Sequence, residues 1–153
     1  VSSTEPLLIV KFTALAYGGD TIGRLPSGKA VFTPFVLPGE TASIRLTDER
    51  RGYARGEVIA ILEPAPERIA PRCLHFGVCG GCAYQHLAYA DQVAAKAAIL
   101  SDQLTRLGGI SDPPLTAPIT SPEAYGYRNH LEFHQTPDGH LGFHRARSEE
   151  VFP

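Results

Sequence analysis

All three cysteines of the chain fall in one short stretch, Cys73-Leu-His-Phe-Gly-Val-Cys79-Gly-Gly-Cys82. The spacings, C-x5-C and C-x2-C, let a single loop turn three thiolates toward one soft-metal centre. Gly77, Gly80 and Gly81 supply the tight backbone such a loop requires. Three thiolates are one short of a full set, whether for zinc or for a 4Fe-4S cluster. A zinc ion would be completed by His75 or His86, both near enough in sequence to reach back. A cluster normally takes a fourth cysteine, which these residues do not contain. A dithiol is the third option, because Cys79-Gly-Gly-Cys82 is a C-x-x-C pair ahead of a helical segment. That option lacks a βαβ setting and leaves Cys73 without a role.

A second group of chemical side chains lies late in the chain. His130, His134 and His144 are expected on one face of a hairpin with Glu132, the raw material of a metal site. The stronger reading is that they are the polar positions of an amphipathic strand pair. No G-x-G glycine loop and no G-x-S-x-G elbow occurs in the sequence, so no nucleotide-cofactor site and no catalytic residue is expected here.

The elements that must position these residues can be read from composition and period. Leu7–Leu15, Ala30–Val36, Thr41–Thr47 and Tyr53–Leu62 are rich in β-branched and aromatic residues. Gly18-Gly19-Asp20, Pro26-Ser27-Gly28, Pro38-Gly39-Glu40 and Arg51-Gly52 supply turns between them. Four or five short strands in residues 1–63 predict a small closed barrel of the OB type, an architecture that binds oligonucleotides. A proline-rich connector and the cysteine loop occupy 64–86. Val93, Ala97, Leu100, Leu104 and Leu107 recur at helical spacing, predicting a helix over 87–109 with this stripe turned into a core. Gly108-Gly109 stops it. Residues 110–153 open a further β domain with a strand over Tyr127–Thr136, a Pro137-Asp138-Gly139 turn, and Phe133 opposite Phe143. The fold class is thus α+β, and the chain ends at Val151-Phe152-Pro153 in what reads as mid-strand, so a longer protein is expected.

Charge argues against a uniformly polyanion-seeking surface, since 14 Lys and Arg face 16 Asp and Glu for a net charge of −2. Locally Arg45, Arg50, Arg51 and Arg55 crowd together, forming either a basic edge or merely a solvated hairpin tip. Apolar residues make up 43% of the chain, with no run long enough to cross a membrane and no cleavable leader, so a cytoplasmic monomer away from membranes is expected.

The order of parts resembles the N-terminal half of the RNA (uracil-5-)-methyltransferase family, in its TRAM-bearing, iron–sulfur-containing branch. Gly18-Gly19, Gly23-Arg24 and Pro38-Gly39-Glu40 are similar to the TRAM signature. Pro71-Arg72-Cys73, Phe76-Gly77, Cys79-Gly80-Gly81-Cys82 and Gln85-His86 are similar to the cluster loop, with Gln92 and Lys96 on the helix after it. Tyr127-Arg128-Asn129 is similar to the opening of the central β domain. The resemblance implies a 4Fe-4S cluster on Cys73, Cys79 and Cys82, its fourth cysteine falling shortly past Pro153. It also implies ribosomal or transfer RNA as partner. Lys29, Arg45, Arg50, Arg51 and Arg55, with Arg128 and Asn129, are then the groups expected to approach phosphates or bases. The S-adenosylmethionine site and the catalytic cysteine that adds to the uracil ring would belong to a C-terminal domain outside this chain. The alternative is a stand-alone TRAM module that binds RNA, stapled by zinc and without catalysis.

Overall fold

Val10 and Phe12, Val31 and Thr33, and Ala42 and Ile44 are fully buried, while the residue between each pair is more exposed. That is the period of strands with one face on a core. The computed structural model describes residues 6–153. They fall into two units, one ending at Arg68 and one spanning Ile69–Pro153.

The first unit is a five-stranded closed barrel of β1 (Leu8–Leu15), β2 (Asp20–Arg24), β3 (Ala30–Pro34), β4 (Thr41–Glu49) and β5 (Tyr53–Glu63). Neighbours run β1-β2-β3-β5-β4, and β4 pairs back onto β1. The β3–β5 pairing is parallel and the rest are antiparallel. Val10, Phe12, Leu25, Val31, Val36, Ala42, Ile44 and Ala54 fill the interior. The four runs read from composition became β1, β3, β4 and β5. The fifth strand, β2, lies in Asp20-Thr-Ile-Gly-Arg24, between two turn segments. Its Gly23 is forced by packing, since a Cβ there would sit 2.5 Å from Val10 Cγ1 and 3.0 Å from the Lys11 carbonyl oxygen.

One buried carboxylate ties the barrel corner together. Glu40, the last residue before β4, is 0% exposed. Its Oε1 accepts from Ala65 N–H at 3.1 Å and Arg68 Nε at 2.5 Å. Its Oε2 accepts from Leu37 N–H at 2.8 Å and Arg68 Nη2 at 2.7 Å. The same Nη2 donates to the Phe35 carbonyl at 2.8 Å. The first unit therefore reaches past β5 to Arg68.

The second unit contains α1 (Tyr89–Arg106), then β6 (His134–Gln135), β7 (Leu141–His144) and β8 (Val151–Phe152) in the order β6-β7-β8. Among the described residues no helix is long and apolar enough to cross a membrane. The helix ends as read from the glycines: Gly109 is left-handed and Ile110 N–H reaches back to the Leu104 carbonyl. Its apolar stripe does not become a core. No residue of α1 is fully buried, and Leu100 and Leu107 stay exposed; the stretch 114–119 borders part of that face.

The hairpin keeps its expected register but not its expected length. His134 pairs with Gly142 and Gln135 with Leu141, and the Phe133 and Phe143 rings lie 4.9 Å apart. The turn closes with Gly139 left-handed and Thr136 N–H donating to the His140 carbonyl at 2.8 Å. Residues 127–133, expected as strand, are not. Beyond His144 the opposite chain turns away: Arg145 N–H bonds to Glu150 and Ala146 N–H to Val78, so no ladder partner remains for them.

Burial raises the Glu40 carboxyl pKa, but the hydrogen bonds from Arg68, Leu37 and Ala65 outweigh it, and the net pKa lies below the ordinary value of 4.5. A carboxyl depressed on folding stabilises the fold above the unfolded pKa and loses that contribution as pH falls through the folded one. Urea unfolding of the first unit should therefore show falling stability below about pH 4.5. Glu40→Gln should cost roughly 2–4 kcal/mol at pH 7, by leaving Arg68 without its anion, and should flatten that acid limb.

Candidate metal centre and nucleic-acid interface

The cysteine loop is held by its backbone to β7 and the turn after it. Gly80 N–H donates to the His144 carbonyl at 2.8 Å, and Ala146 N–H donates to the Val78 carbonyl at 2.8 Å. Within the loop, Cys79 N–H donates to the His75 carbonyl at 2.9 Å, and Gly77 takes the left-handed conformation. Gly80 meets the hairpin so closely that a Cβ would lie 3.0 Å from the His144 oxygen and 3.3 Å from the Arg145 oxygen.

Cys73, Cys79 and Cys82 are free thiols, and all three line one cavity of about 670 Å³ in the second unit. Two of the sulfurs accept hydrogen bonds, Cys79 Sγ from Gly81 N–H at 3.4 Å and Cys82 Sγ from Gln85 Nε2 at 3.2 Å. The donor set, three soft thiols with N–H groups aimed at two of them, suits an iron–sulfur cluster or zinc. The thiols share the cavity without being gathered into a closed site: among the described residues no group of three His, Cys, Asp or Glu side chains is arranged to hold a metal ion. Of the two histidines considered as a fourth ligand, His86 is fully buried with its ring 5.2 Å from Phe76, and His75 packs 5.2 Å from Phe152.

The segment behind the thiols is fixed by the helix. Leu87 N–H donates to the Tyr84 carbonyl at 3.0 Å, closing a turn over 84–87. Gln92, one turn into α1, donates to both the Tyr84 and Leu87 carbonyls at 3.1 and 2.8 Å. Lys96 lies 5.6 Å from the Tyr84 ring centre and Arg72 lies 5.0 Å from that of Tyr125, both within cation–π range. Burial pushes the Tyr84 phenol pKa up. Tyr84 and Tyr125 drew no attention in the sequence, where nothing marks them as facing cations.

The late histidines do not converge on a site. His134 and His144 have ring centres 4.0 Å apart, and His130 stands 3.9 Å from Glu132 on the surface.

The basic residues of the barrel are mostly interleaved with carboxylates. Lys29 pairs with Glu49 at 2.6 Å, Arg45 with Glu57 at 2.8 Å, Arg50 with Asp48 at 2.8 Å and Arg55 with Asp20 at 3.0 Å. Hydrogen bonding to Asp48 raises the Arg50 pKa further. Arg51, at the exposed β4–β5 turn, has no carboxylate partner among the described residues. Arg55 also lies 5.9 Å from the ring centre of Tyr53. Arg128 and Asn129 are exposed in the irregular stretch before β6.

Comparison with known proteins identifies residues 8–59 as a TRAM domain. The chain is 37% identical over 155 aligned residues to the 23S rRNA (uracil(1939)-C(5))-methyltransferase RlmD of Edwardsiella ictaluri, covering 98% of this chain and 34% of that protein. An uncharacterized RNA methyltransferase of Nitratidesulfovibrio vulgaris is 38% identical over 148 residues, covering 94% and 31%. The RlmD of Alkalilimnicola ehrlichii is 40% identical over 124 residues, covering 81% and 27%. The chain thus spans about a third of the length of the curated relatives it matches, less than the half expected from its order of parts.

Gly80→Ala tests the docking of the loop. The added methyl group would press on two backbone carbonyls and should cost about 1–2 kcal/mol. Amide exchange at Gly80 and Ala146 should quicken, while the amides of β1 to β5 keep their protection.

Proposed function

We propose that this chain, which resembles the N-terminal part of the RNA (uracil-5-)-methyltransferase family and carries its TRAM domain, is the RNA-gripping and 4Fe-4S-binding portion of an enzyme that methylates uracil C5 in ribosomal RNA. The observation that carries the reading is the cavity shared by Cys73, Cys79 and Cys82, on a chain that also holds a TRAM barrel. Cys73, Cys79 and Cys82 would hold the cluster, and its fourth ligand would come from residues outside these 153. When bound, the cluster supplies a rigid cross-link rather than a reacting group.

The chain's own residues bind and position. The backbone bonds of Gly80 and Ala146 seat the loop on the hairpin, and Gln92 fixes the turn that follows it. Thiolates committed to iron are not free to attack a base, so uracil activation and the S-adenosylmethionine site belong to the remainder of the enzyme. The barrel side chains Lys29, Arg45, Arg50, Arg51 and Arg55, with Arg128 and Asn129 of the second unit, are the proposed RNA contacts. A target uracil must be unstacked before reaction, which requires a platform that holds the flanking strand.

Metal analysis tests the cluster. Protein purified without oxygen should contain iron and acid-labile sulfide in matching amounts, with broad brown absorbance. Stoichiometric zinc without sulfide would replace this reading with the zinc-stapled RNA adapter.

Salt titration tests the RNA surface. Arg51→Glu should weaken single-stranded RNA binding and lower the slope of log K against log salt by about 0.7 for each phosphate no longer neutralised. Arg45→Glu should do less, because Glu57 already balances that charge. An unchanged slope in Arg51→Glu would remove the β4–β5 turn from the interface.

A further inference from the structure

Gln85 touches two of the three cysteines through one amide group. Its Oε1 accepts from the Cys73 backbone N–H at 3.0 Å, and its Nε2 donates to Cys82 Sγ at 3.2 Å. The orientation of the amide is chemically forced. A backbone N–H can only donate, so the oxygen must face Cys73, which turns the NH2 toward the sulfur. Gln85 also sits on a turn held from several sides: Leu87 N–H and Gln92 Nε2 hold the Tyr84 carbonyl, and Ile69 N–H holds that of His86 at 3.0 Å. The side chain therefore works from a fixed base, bridging the Cys73 backbone and the Cys82 sulfur.

We propose that Gln85 is a positioning residue for the metal centre, holding Cys73 and Cys82 as a pair and supplying an N–H to the Cys82 sulfur. The inference rests on the cluster reading above. An N–H aimed at a ligating sulfur draws charge from it, which favours the reduced, more negative cluster and raises its potential. The tether to Cys73 acts separately, on retention of the ligand.

Two substitutions divide these roles. Gln85→Leu removes both hydrogen bonds. Gln85→Glu keeps an oxygen for the Cys73 N–H but places a carboxylate where the sulfur had a donor. The 153-residue chain and both variants would be loaded without oxygen using ferrous iron, sulfide and dithiothreitol, the last as exogenous fourth thiol. Iron release to a chelator and the midpoint potential by optical titration are then read, with helix content from circular dichroism as the folding control. Gln85→Leu is expected to release iron about tenfold faster, in line with the usual effect of removing a partner of a metal ligand. Both variants should show a more negative potential, and Gln85→Glu should release iron more slowly than Gln85→Leu.

Release rates and potentials equal to wild type in both variants would overturn the proposal. Faster release at an unshifted potential would overturn the N–H···S role and leave Gln85 a purely structural contact. A wild-type chain that takes up zinc alone would overturn the cluster reading and this inference with it, an outcome distinct from the other two.

Discussion

The barrel depends on a carboxylate buried away from solvent. Removing an ion from solvent costs several kcal/mol even after relaxation, and only a complete set of partners offsets that. Glu40 has such a set, two donors on each oxygen, drawn from Leu37, Ala65 and the forked guanidinium of Arg68. These donors lie before β4 and after β5, so one side chain fixes the corner that enters β4 and the path by which the chain leaves β5. Its backbone is committed as well, the Glu40 carbonyl accepting from Phe12 N–H at 2.9 Å where β1 meets the start of β4. A barrel closed in another register would bury a charge without its partner. The pair therefore penalises alternatives more than it adds net stability.

The second unit is built the opposite way. Of its apolar side chains only Leu87 is fully shielded, and α1 buries none. What holds it is backbone: Gly80 to His144, Ala146 to Val78, Ile69 to His86. Small scaffolds with so little apolar burial commonly rely on a staple, a metal or a disulfide, to offset chain entropy. The thiols here are unpaired and lie along the cavity wall. A metal-bound cross-link, as in the proposed function, would be such a staple, set among the polar contacts that join loop, turn and hairpin around those thiols.

The legible parts of this structure are those set by local chemistry. Alternating β-branched runs, the Asp138-Gly139 turn and the glycine stop after α1 encode their own conformations, and each appears where its residues place it. Less legible were features decided at a distance. β2 carries too few apolar residues to stand out, and Gly23 is explained only by Val10 packed above it. The stretch 127–133 has strand-like alternation, yet it lacks a partner because Arg145 and Ala146 turn their backbone elsewhere. Periodicity in α1 reported a face correctly but not what covers it. That the three thiols would share one cavity was legible from spacing, whereas the contacts of Arg68 in the barrel and of Gln85 beside the thiols were not. Arg68 reaches partners 28 and 33 residues away, and Gln85 partners 3 and 12 residues away.

Composition also left the charge pattern open. The arginines of β4 and β5 read in the sequence as either a basic edge or a solvated tip; cross-strand pairing sets Arg45 beside Glu57, and the Arg55 side chain reaches Asp20 of β2. Exposed pairs such as Arg45–Glu57 are worth about 0–1 kcal/mol, so they are not what holds the barrel. Their effect is on the field: a paired arginine presents a dipole to an approaching phosphate, not a full charge, and long-range attraction of a polyanion is correspondingly weak. For the proposed RNA partner, affinity must then come from short-range contact. Shape, stacking on an exposed ring such as Tyr53 beside Arg55, and the few cations left without a carboxylate are the means available. On the proposed function, such a surface would favour a folded or already splayed strand over bulk nucleic acid, because little of its attraction would survive unless the contacts fit.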